Sequence, residues 1–493
     1  GHRWIALDDG SIDLEIAVLP AAEPDRDALR AVLRRPRAPT DNQSRPQPIY
    51  AEATVLLGDL PPAPPIAAPQ HYAEARASRW RPEDLYDAVM FHGPRLQAIP
   101  SVALCAHDGV EGPLLGMPRD RLFSWTRTPE FLTDPITTDA MGQLIGMWTM
   151  DELGDGIFPF RLERLDVFGA GLAPGERSNC RARIRLHGDK EVCSDIDVVD
   201  AAGRTRIAMA GWWDLRFAMP ARFHAARAHP ERVPLSRVLD GWPATEVDRG
   251  GVVCAVVDDI PADFLEPSGE FWLRALSQLV LSRSERETLR AMTNGARFER
   301  RAEWLLGRIA AKDAVRATFF ECGGEAVYPA DVEIGAVNGE RPFVAAADHS
   351  EDLSAPHVSI AHKAGRAVAA AAPSNRYAGV GIDIETIEAR SESFAEAAFS
   401  ASERALVATA AASEDQRRLM MTRIWCAKEA VGKALGWGLA DILAGLEARS
   451  CEEVVQVGVT PSAAHADSPG PFEVATVRDG DFLIALVAIP ARK

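Results

Sequence analysis

The stretch GVGIDIETIE, Gly379–Glu388, alternates strictly: Val380, Ile382 and Ile384 fall on one parity, Gly381, Asp383 and Glu385 on the other. Successive side chains of a strand point to opposite faces, so the spacing predicts a strand with one apolar face and one face carrying two neighbouring carboxylates. Like charges that close repel, and something must compensate them. A solvated edge does so, and so does a cation. Taken alone, an Asp-x-Glu on a strand is more often a solvated face than a metal ligand.

Downstream, RIWCAKEAVGKALGWG (423–438) has no proline and suits a helix. Ile424, Ala427, Val431 and Leu435 follow helical spacing and are expected to face a core. Trp425, Glu429 and Lys433 share a second stripe at i, i+4 and i+8, with Lys428 beside them. A Glu–Lys pair at i, i+4 is by itself usually a surface pair. Two strand carboxylates and one helix carboxylate together suit Mg²⁺, which takes a few protein oxygens and leaves positions for water and phosphate. The lysines would neutralise phosphate oxygens. This combination points to phosphoryl-type chemistry on a pyrophosphate substrate.

The rest of the chain sets limits on that reading. Its 493 residues suffice for two to four domains at roughly 100–200 residues each. Apolar residues are 47% and charged residues 25%, as in soluble globular proteins. No apolar run is long enough for a membrane span. The start, GHRWIALDDG, has no initiator Met and resembles no signal peptide, which leads us to expect a fragment or excised domain set. The formal charge is −17 (54 Lys and Arg against 71 Asp and Glu), which argues against nucleic acid as the main partner. Seven dispersed cysteines with no CxxC pair read as reduced thiols in a cytoplasmic protein.

Residues 1–220 read as β-rich, with DAAG (200–203) as a hairpin turn and one helix near 136–150. Pro- and Gly-rich punctuation at 219–250 marks a domain boundary, and GDLPPAPPIAAP (58–69) a loop. From Val252 on, helices are expected over about 268–293, 299–319, 392–412 and 414–436, interleaved with strands near 356–361, 366–372, 378–385 and 481–489. That half reads α+β. No short-period repeat is seen.

GVGIDIE followed by WCAKEAVGKA resembles the signature of the 4′-phosphopantetheinyl transferases of the two-lobed type. NGERPFV (338–344), HVSIAHKAG (357–365) and FERRAEWLLGRIAAKDAV (298–315) resemble further segments of that family, in the same order. The resemblance covers roughly 252–493 and implies a pseudodimeric α+β fold. It further implies Mg²⁺ held by Asp383, Glu385 and Glu429, and attack by a carrier-protein serine on the β-phosphate of coenzyme A. Glu429 would help activate the hydroxyl and Lys433 would stabilise charge on the pyrophosphate. Arg300, Arg301, Arg308, Arg341, His362 and Lys428 would contact coenzyme A. Ala361 stands where the family has Ser, which removes one hydroxyl. Over 283–316, nine Arg or Lys face five Asp or Glu, a local excess of four positive charges.

In the first half, LYDAVMFHGPRLQAI (85–99) and TDAMGQLIGMWTM (138–150) resemble the dehydratase domain of polyketide synthases, a double hotdog fold. HGPRLQ is similar to its GPxFQ strand, with Leu96 for the usual Phe. TDAMGQ is similar to its catalytic DxxxQ helix. Asp139 and Gln143, at i and i+4, let an amide orient a carboxyl group that protonates a leaving hydroxyl. On the residues alone, a polar helix start capped by Thr138 or Asp139 is the simpler reading. The family's catalytic His lies in an HxxxGxxxxP segment that is not found here. The chain is therefore expected to begin part-way through the first hotdog and not to dehydrate on its own.

The order dehydratase (1–225), linker (226–251), transferase (252–493) resembles the tail of enediyne-type iterative polyketide synthases. Its partners would be an acyl carrier protein domain and coenzyme A, with a homodimer through the synthase possible and neither nucleic acid nor membrane involved. The alternative is a docking module that binds carrier protein and coenzyme A without turnover. A thioesterase or isomerase in the hotdog half would need a general base that the sequence does not single out.

Overall fold

The computed structural model describes residues 5, 11–21, 28–37, 47, 49–57, 64–169, 171–245, 251–261, 264–265, 270–292, 297–321, 326–337, 341–347, 355–460 and 470–491. The chain divides into two compact units, Gly1–Met219 and Pro220–Lys493.

In the first unit β1 (Glu15–Ala21), β2 (Ala28–Arg34) and β3 (Ile49–Leu56) form a small antiparallel sheet. A seven-stranded antiparallel sheet holds β4 (Arg76–Ala77), β5 (Leu104–Ala106), β6 (Gly109–Leu115), β7 (Asp155–Val167), β8 (Arg177–His187), β9 (Glu191–Val199) and β10 (Thr205–Ala218), in the order β4-β5-β6-β8-β9-β10-β7. Helix α1 (Pro135–Glu152) starts at Asp134, whose side chain accepts from Ile136 N, with Pro135 in the first turn. Ile136, Ala140, Met141, Leu144, Ile145 and Trp148 of α1 pack against Val110, Leu114, Cys180, Ile196 and Val198 of the sheet. One helix embraced by a sheet is the hotdog arrangement. The β9–β10 turn forms at 200–203 as expected: Asp200 Oδ1 accepts from Ala202 N and Arg204 N, and Gly203 takes φ 77°. FHGPRLQ, expected as a strand, is instead a loop with a turn at Gly93, where Leu96 N donates to Gly93 O. Pro94 has no N–H to give a ladder.

The second unit is a helix–sheet–sheet–helix stack. One sheet runs β11 (Arg237–Val238), β12 (Val253–Val257), β16 (Arg366–Ala372), β15 (His357–Lys363), and β13 (Val332–Val337) pairs with β14 (Arg341–Ala347). The other sheet runs β17 (Tyr377–Thr386), β21 (Phe482–Pro490), β20 (Phe472–Asp479), β19 (Val454–Val459), β18 (Leu446–Ala448). Between the sheets, Val380, Ile382, Ile384, Leu486 and Ala488 meet Val368, Ala370, Ala372 and Ala361. The part of 226–251 that is described does not hang as a linker. It includes the end of α2 (Ala221–Ala228) and β11, and Ser236 donates both N and Oγ to Asp313 Oδ2, each at 2.9 Å.

The expected helices over 268–293 and 392–412 are each broken in two. They become α3 (Glu270–Val280) with α4 (Arg283–Ala291), and α6 (Glu392–Ala398) with α7 (Ala401–Ala410). The reason is a capping box at each break, Ser282 with Glu285 and Ser400 with Glu403, which stops one helix and starts the next. Helix α5 (Phe298–Glu321) covers the first sheet, and α8 (Glu414–Leu435), followed by α9 (Leu439–Gly445), covers the second.

Ile424, Ala427 and Val431 of α8 are fully buried against Leu483, Ala485 and Val487. The helix also runs directly over the polar parity of β17. A Cβ at Gly381 would fall inside the Ala430 carbonyl oxygen and 2.7 Å from Ala434 N, and one at Gly379 would lie 2.7 Å from Ala434 O. Gly381→Ala is therefore expected to cost about 3 kcal/mol or more through forced separation of helix and strand. An unchanged urea midpoint for that variant would refute the packing argument.

Candidate functional site

The glycine-permitted approach of α8 to β17 brings its second stripe onto the strand carboxylates. Lys433 Nζ donates to Asp383 Oδ1 at 2.7 Å. Trp425 Nε1 donates to Glu385 Oε1 at 3.2 Å. Glu429 lies between them on the same stripe and has no hydrogen-bond partner among the described residues. Asp383 Oδ2 is buried and has no partner among the described residues.

Two cations that the sequence reading did not assign reach the same place. Lys363 Nζ, at the end of β15, lies 2.8 Å from Glu385 Oε2, and Arg390 Nη2 donates to that oxygen at 2.9 Å. Lys363 directly follows His362 and was within sight of the motif; nothing in the sequence marked Arg390.

The charges respond to this setting. Burial raises the Asp383 carboxyl above its ordinary range, against the pull of Lys433, and repulsion from Glu385 adds to the rise. Burial also raises Glu429, helped by the Asp383 and Glu385 carboxylates. Burial works against ionised Glu385 too, but its bonds and charge contacts with Lys363 and Arg390 outweigh it and hold the group low. Burial likewise opposes the Lys433 ammonium, yet Asp383 and Glu429 raise its pKa.

The other expected contacts separate into two sets. Arg341 is exposed on β14, and its guanidinium lies against Gly436, the left-handed C-cap of α8 (a Cβ there would be 3.0 Å from Arg341 Nη1). The preceding residues 338–340 of NGERPFV lie outside the described residues. His362 is about half exposed, with Nδ1 3.7 Å from Glu303 Oε2. Arg300 is exposed and Arg301 half-buried on the first turns of α5. These four lie where a ligand can reach them.

Lys428 and Arg308 do not. Lys428 is 1% exposed, and its Nζ donates to Ala398 O at 3.0 Å and Glu403 Oε2 at 3.2 Å. Arg308 stacks on Trp304 at 4.6 Å, and its Nε lies 3.8 Å from Glu285 Oε1. Both expected contacts to coenzyme A are corrected to interior roles. Part of the local positive excess is neutralised within the fold in the same way.

In the first unit Gln143 Nε2 donates to Asp139 Oδ2 at 2.7 Å and to Leu96 O at 2.8 Å. Tyr86 OH donates to Gln143 Oε1 at 2.8 Å, which fixes which way the amide points. The helix N-cap is Asp134, so Asp139 is not the cap of the simpler reading. His92 Nε2 lies 3.4 Å from Asp139 Oδ2. Sequence reasoning had assigned His92 to a strand and given it no part in this site.

Among the described residues no three His, Cys, Asp or Glu side chains are grouped to hold a metal as they stand, and no helix is long and apolar enough to cross a membrane.

Two outcomes follow from these environments. Glu429→Gln removes an unpartnered, half-buried charge and is expected to stabilise the fold by about 1 kcal/mol at neutral pH. Because the folded pKa of Glu429 is raised, the gain should vanish as pH falls through it toward the unfolded value. Denaturant titrations at several pH values read this, and a gain that grows on acidification would refute it. Lys428→Ala leaves Glu403 buried and unpaired and is expected to cost roughly 3–5 kcal/mol. A melting temperature equal to that of the parent chain would contradict the interior role.

Residues 379–487 match the family model of the 4′-phosphopantetheinyl transferase superfamily, and residues 66–212 match that of the polyketide synthase dehydratase N-terminal domain. A comparison with curated proteins finds no match. Among solved structures the chain is similar to a trans-AT polyketide synthase dehydratase domain from Brevibacillus brevis, at 18% identity over 41% of this chain and 68% of that one, with TM-score 0.31. It is also similar to the dehydratase domain of PpsC from Mycobacterium tuberculosis, at 17% identity over 42% and 68%, with TM-score 0.30. With both domain families matched in this order, the chain is a dehydratase–phosphopantetheinyl transferase portion of a polyketide synthase.

Proposed function

We propose that the second unit transfers the 4′-phosphopantetheine arm of coenzyme A to a serine of an acyl carrier protein domain, in a synthase of the enediyne type. The observation that carries this reading is the convergence of Asp383, Glu385, Glu429 and Lys433 where α8 crosses β17.

The donor set suits a hard divalent ion. All three candidates are carboxylates, one oxygen of Asp383 is buried and unpaired, and Glu429 is unpaired. Asp383, Glu385 and Glu429 would hold Mg²⁺, which when bound supplies charge stabilisation on the pyrophosphate oxygens. Lys433, whose ammonium is held charged by Asp383, is the residue to meet a phosphate oxygen beside it. Glu429 has its pKa raised by burial and its neighbours, so it is suited to accept the serine proton once those neighbours are compensated. Arg341 and His362 offer exposed cationic or hydrogen-bonding groups for the phosphates of coenzyme A.

The first unit is read as acting on β-hydroxyacyl thioesters carried on that arm. The proposed domains are 1–225 and 252–493; the compact units themselves divide between Met219 and Pro220.

Incubation with an apo carrier protein, coenzyme A and Mg²⁺ should add one phosphopantetheine by intact mass, with loss of the product when the ion is chelated. Asp383→Ala and Glu429→Gln should each lower the rate by at least about 10²-fold. Coenzyme A binding with no adduct from the parent chain would favour the docking module instead.

A further inference from the structure

We infer that Lys363 is a tethered counter-cation: it holds Glu385 closed to a divalent ion and releases it when a pyrophosphate offers the ammonium another partner. This role rests on the transferase reading of the second unit and adds to it a residue that the sequence motifs left unassigned.

Charge comes first. Three carboxylates, Asp383, Glu385 and Glu429, meet three cations, Lys363, Arg390 and Lys433. The formal charges of the cluster therefore cancel. A divalent ion entering alone would leave uncompensated positive charge in a part-buried site, where water screens poorly. A pyrophosphate diester entering with the ion brings the matching negative charge and leaves the balance as it was. Among the described residues no three acidic side chains are grouped to hold a metal as they stand, in keeping with carboxylates drawn each to its own cation.

Glu385 decides which cation yields. Its Oε1 accepts from Trp425 Nε1 at 3.2 Å, and its Oε2 is shared by Arg390 Nη2 at 2.9 Å and Lys363 Nζ at 2.8 Å. A carboxylate has about four lone-pair positions, so most of its capacity is taken. Trp425 is buried in the core of the second lobe. The Arg390 side chain is 12% exposed, and its guanidinium lies over the Phe394 ring at 5.1 Å. The Lys363 side chain is 33% exposed on a flexible stem, so it can leave Glu385 without unpacking anything.

The backbone keeps the departing ammonium at hand. Lys363 and Arg366 pair across a two-residue turn at the tip of the β15–β16 hairpin. Both central residues are left-handed, Ala364 at φ 47° and Gly365 at φ 80°, as a type I′ turn requires. An alanine is uncommon in that conformation and is kept there by what surrounds it. Arg366 supplies the hold: its Nη1 donates to Asp479 Oδ2 at 3.1 Å and to Asp479 O at 3.3 Å, and its guanidinium lies over Phe482 at 4.4 Å. Phe482 pairs in register with Thr386, the residue after Glu385. The hairpin tip of one lobe is thus pinned beside the strand of the other that carries the site.

The test titrates Mn²⁺ into the whole chain and counts free ion by electron paramagnetic resonance, with and without coenzyme A. The parent should bind Mn²⁺ at least about 10-fold more tightly when coenzyme A is present. Lys363→Met should bind the ion alone at least about 10-fold more tightly than the parent does, and lose most of that enhancement. Lys363→Arg keeps the charge and should hold the ion off as the parent does. Asp383→Ala added to Lys363→Met should abolish the gain, and a gain that persists there overturns the role at this site. Equal Mn²⁺ affinity of the parent and a folded Lys363→Met would also overturn it, while a carrier adduct formed by the same parent would leave the transferase reading standing. A parent that neither binds coenzyme A with the ion present nor forms the adduct would overturn that reading, and the inference with it. If Lys363→Met melts early, Lys363→Arg decides: an ion bound as weakly as by the parent supports the role, and a tighter one overturns it.

Discussion

The packing of α8 on β17 is the contact on which the transferase half depends. Gly379 and Gly381 occupy the parity that otherwise bears Asp383 and Glu385, and neither position has room for a Cβ. The helix backbone therefore rests on the strand backbone, with Ala430 and Ala434 at the contact. Only at that separation can side chains as short as Asp383 and as long as Lys433 meet at 2.7 Å. The opposite parity of the same strand, Val380, Ile382 and Ile384, fills the core between the two sheets. One ten-residue strand thus joins the lobes through its apolar face and builds the site with its other face.

The two lobes repeat one buried device. In the first, Lys312 is fully buried and bonds Val280 O and Glu285, the acid of the Ser282 capping box, while Glu285 Oε1 accepts from Ile334 N. In the second, Lys428 bonds Ala398 O and Glu403, the acid of the Ser400 capping box, while Glu403 Oε1 accepts from Ala448 N. The residues after each lysine match too: Ala311-Lys312-Asp313-Ala314-Val315 against Ala427-Lys428-Glu429-Ala430-Val431. Their acids have opposite fates. Asp313 is satisfied by Ser236 and Arg316, whereas Glu429 has no partner among the described residues. The same position is a structural anchor in one lobe and an open carboxylate in the other.

Much of this was legible in the sequence, because periodicity reports which side chains share a face. Alternation placed Asp383 beside Glu385, and the i, i+4, i+8 spacing placed Trp425, Glu429 and Lys433 together. Periodicity does not report depth. Lys428 and Arg308 look like solvent-facing cations beside a site, and only the capping-box acids Glu285 and Glu403 turn them inward. Those acids were visible as two Ser-x-Ser-Glu-Arg stretches, at 282–286 and 400–404, whose recurrence at long range a search for short periods passes over. The helix breaks were missed for the same reason. His92 was out of reach for another: it and Asp139 are 47 residues apart, and no local pattern measures a loop-to-helix distance.

On the proposed roles, the Asp139 and Glu385 carboxylates meet one electrostatic problem in the same way. A carboxylate used for chemistry must be positioned without being neutralised for good. A permanent buried ion pair positions it but removes its charge from use, as Lys312 does to Glu285. A neutral donor holds one oxygen and leaves the other group chemistry open. Gln143 does this for Asp139 and Trp425 does it for Glu385. Of the cations that touch the transferase carboxylates, Lys433 and Lys363 are each about one-third exposed and sit on flexible stems, whereas Arg390 is 12% exposed on Glu385. Such ammonium groups can turn to a phosphate when one enters, because water already shares their charge. The buried Lys428 has no such freedom. On the proposed function, exposure separates Lys433, which would meet a phosphate, from Lys428, which serves the fold, although the two lie within six residues on one helix.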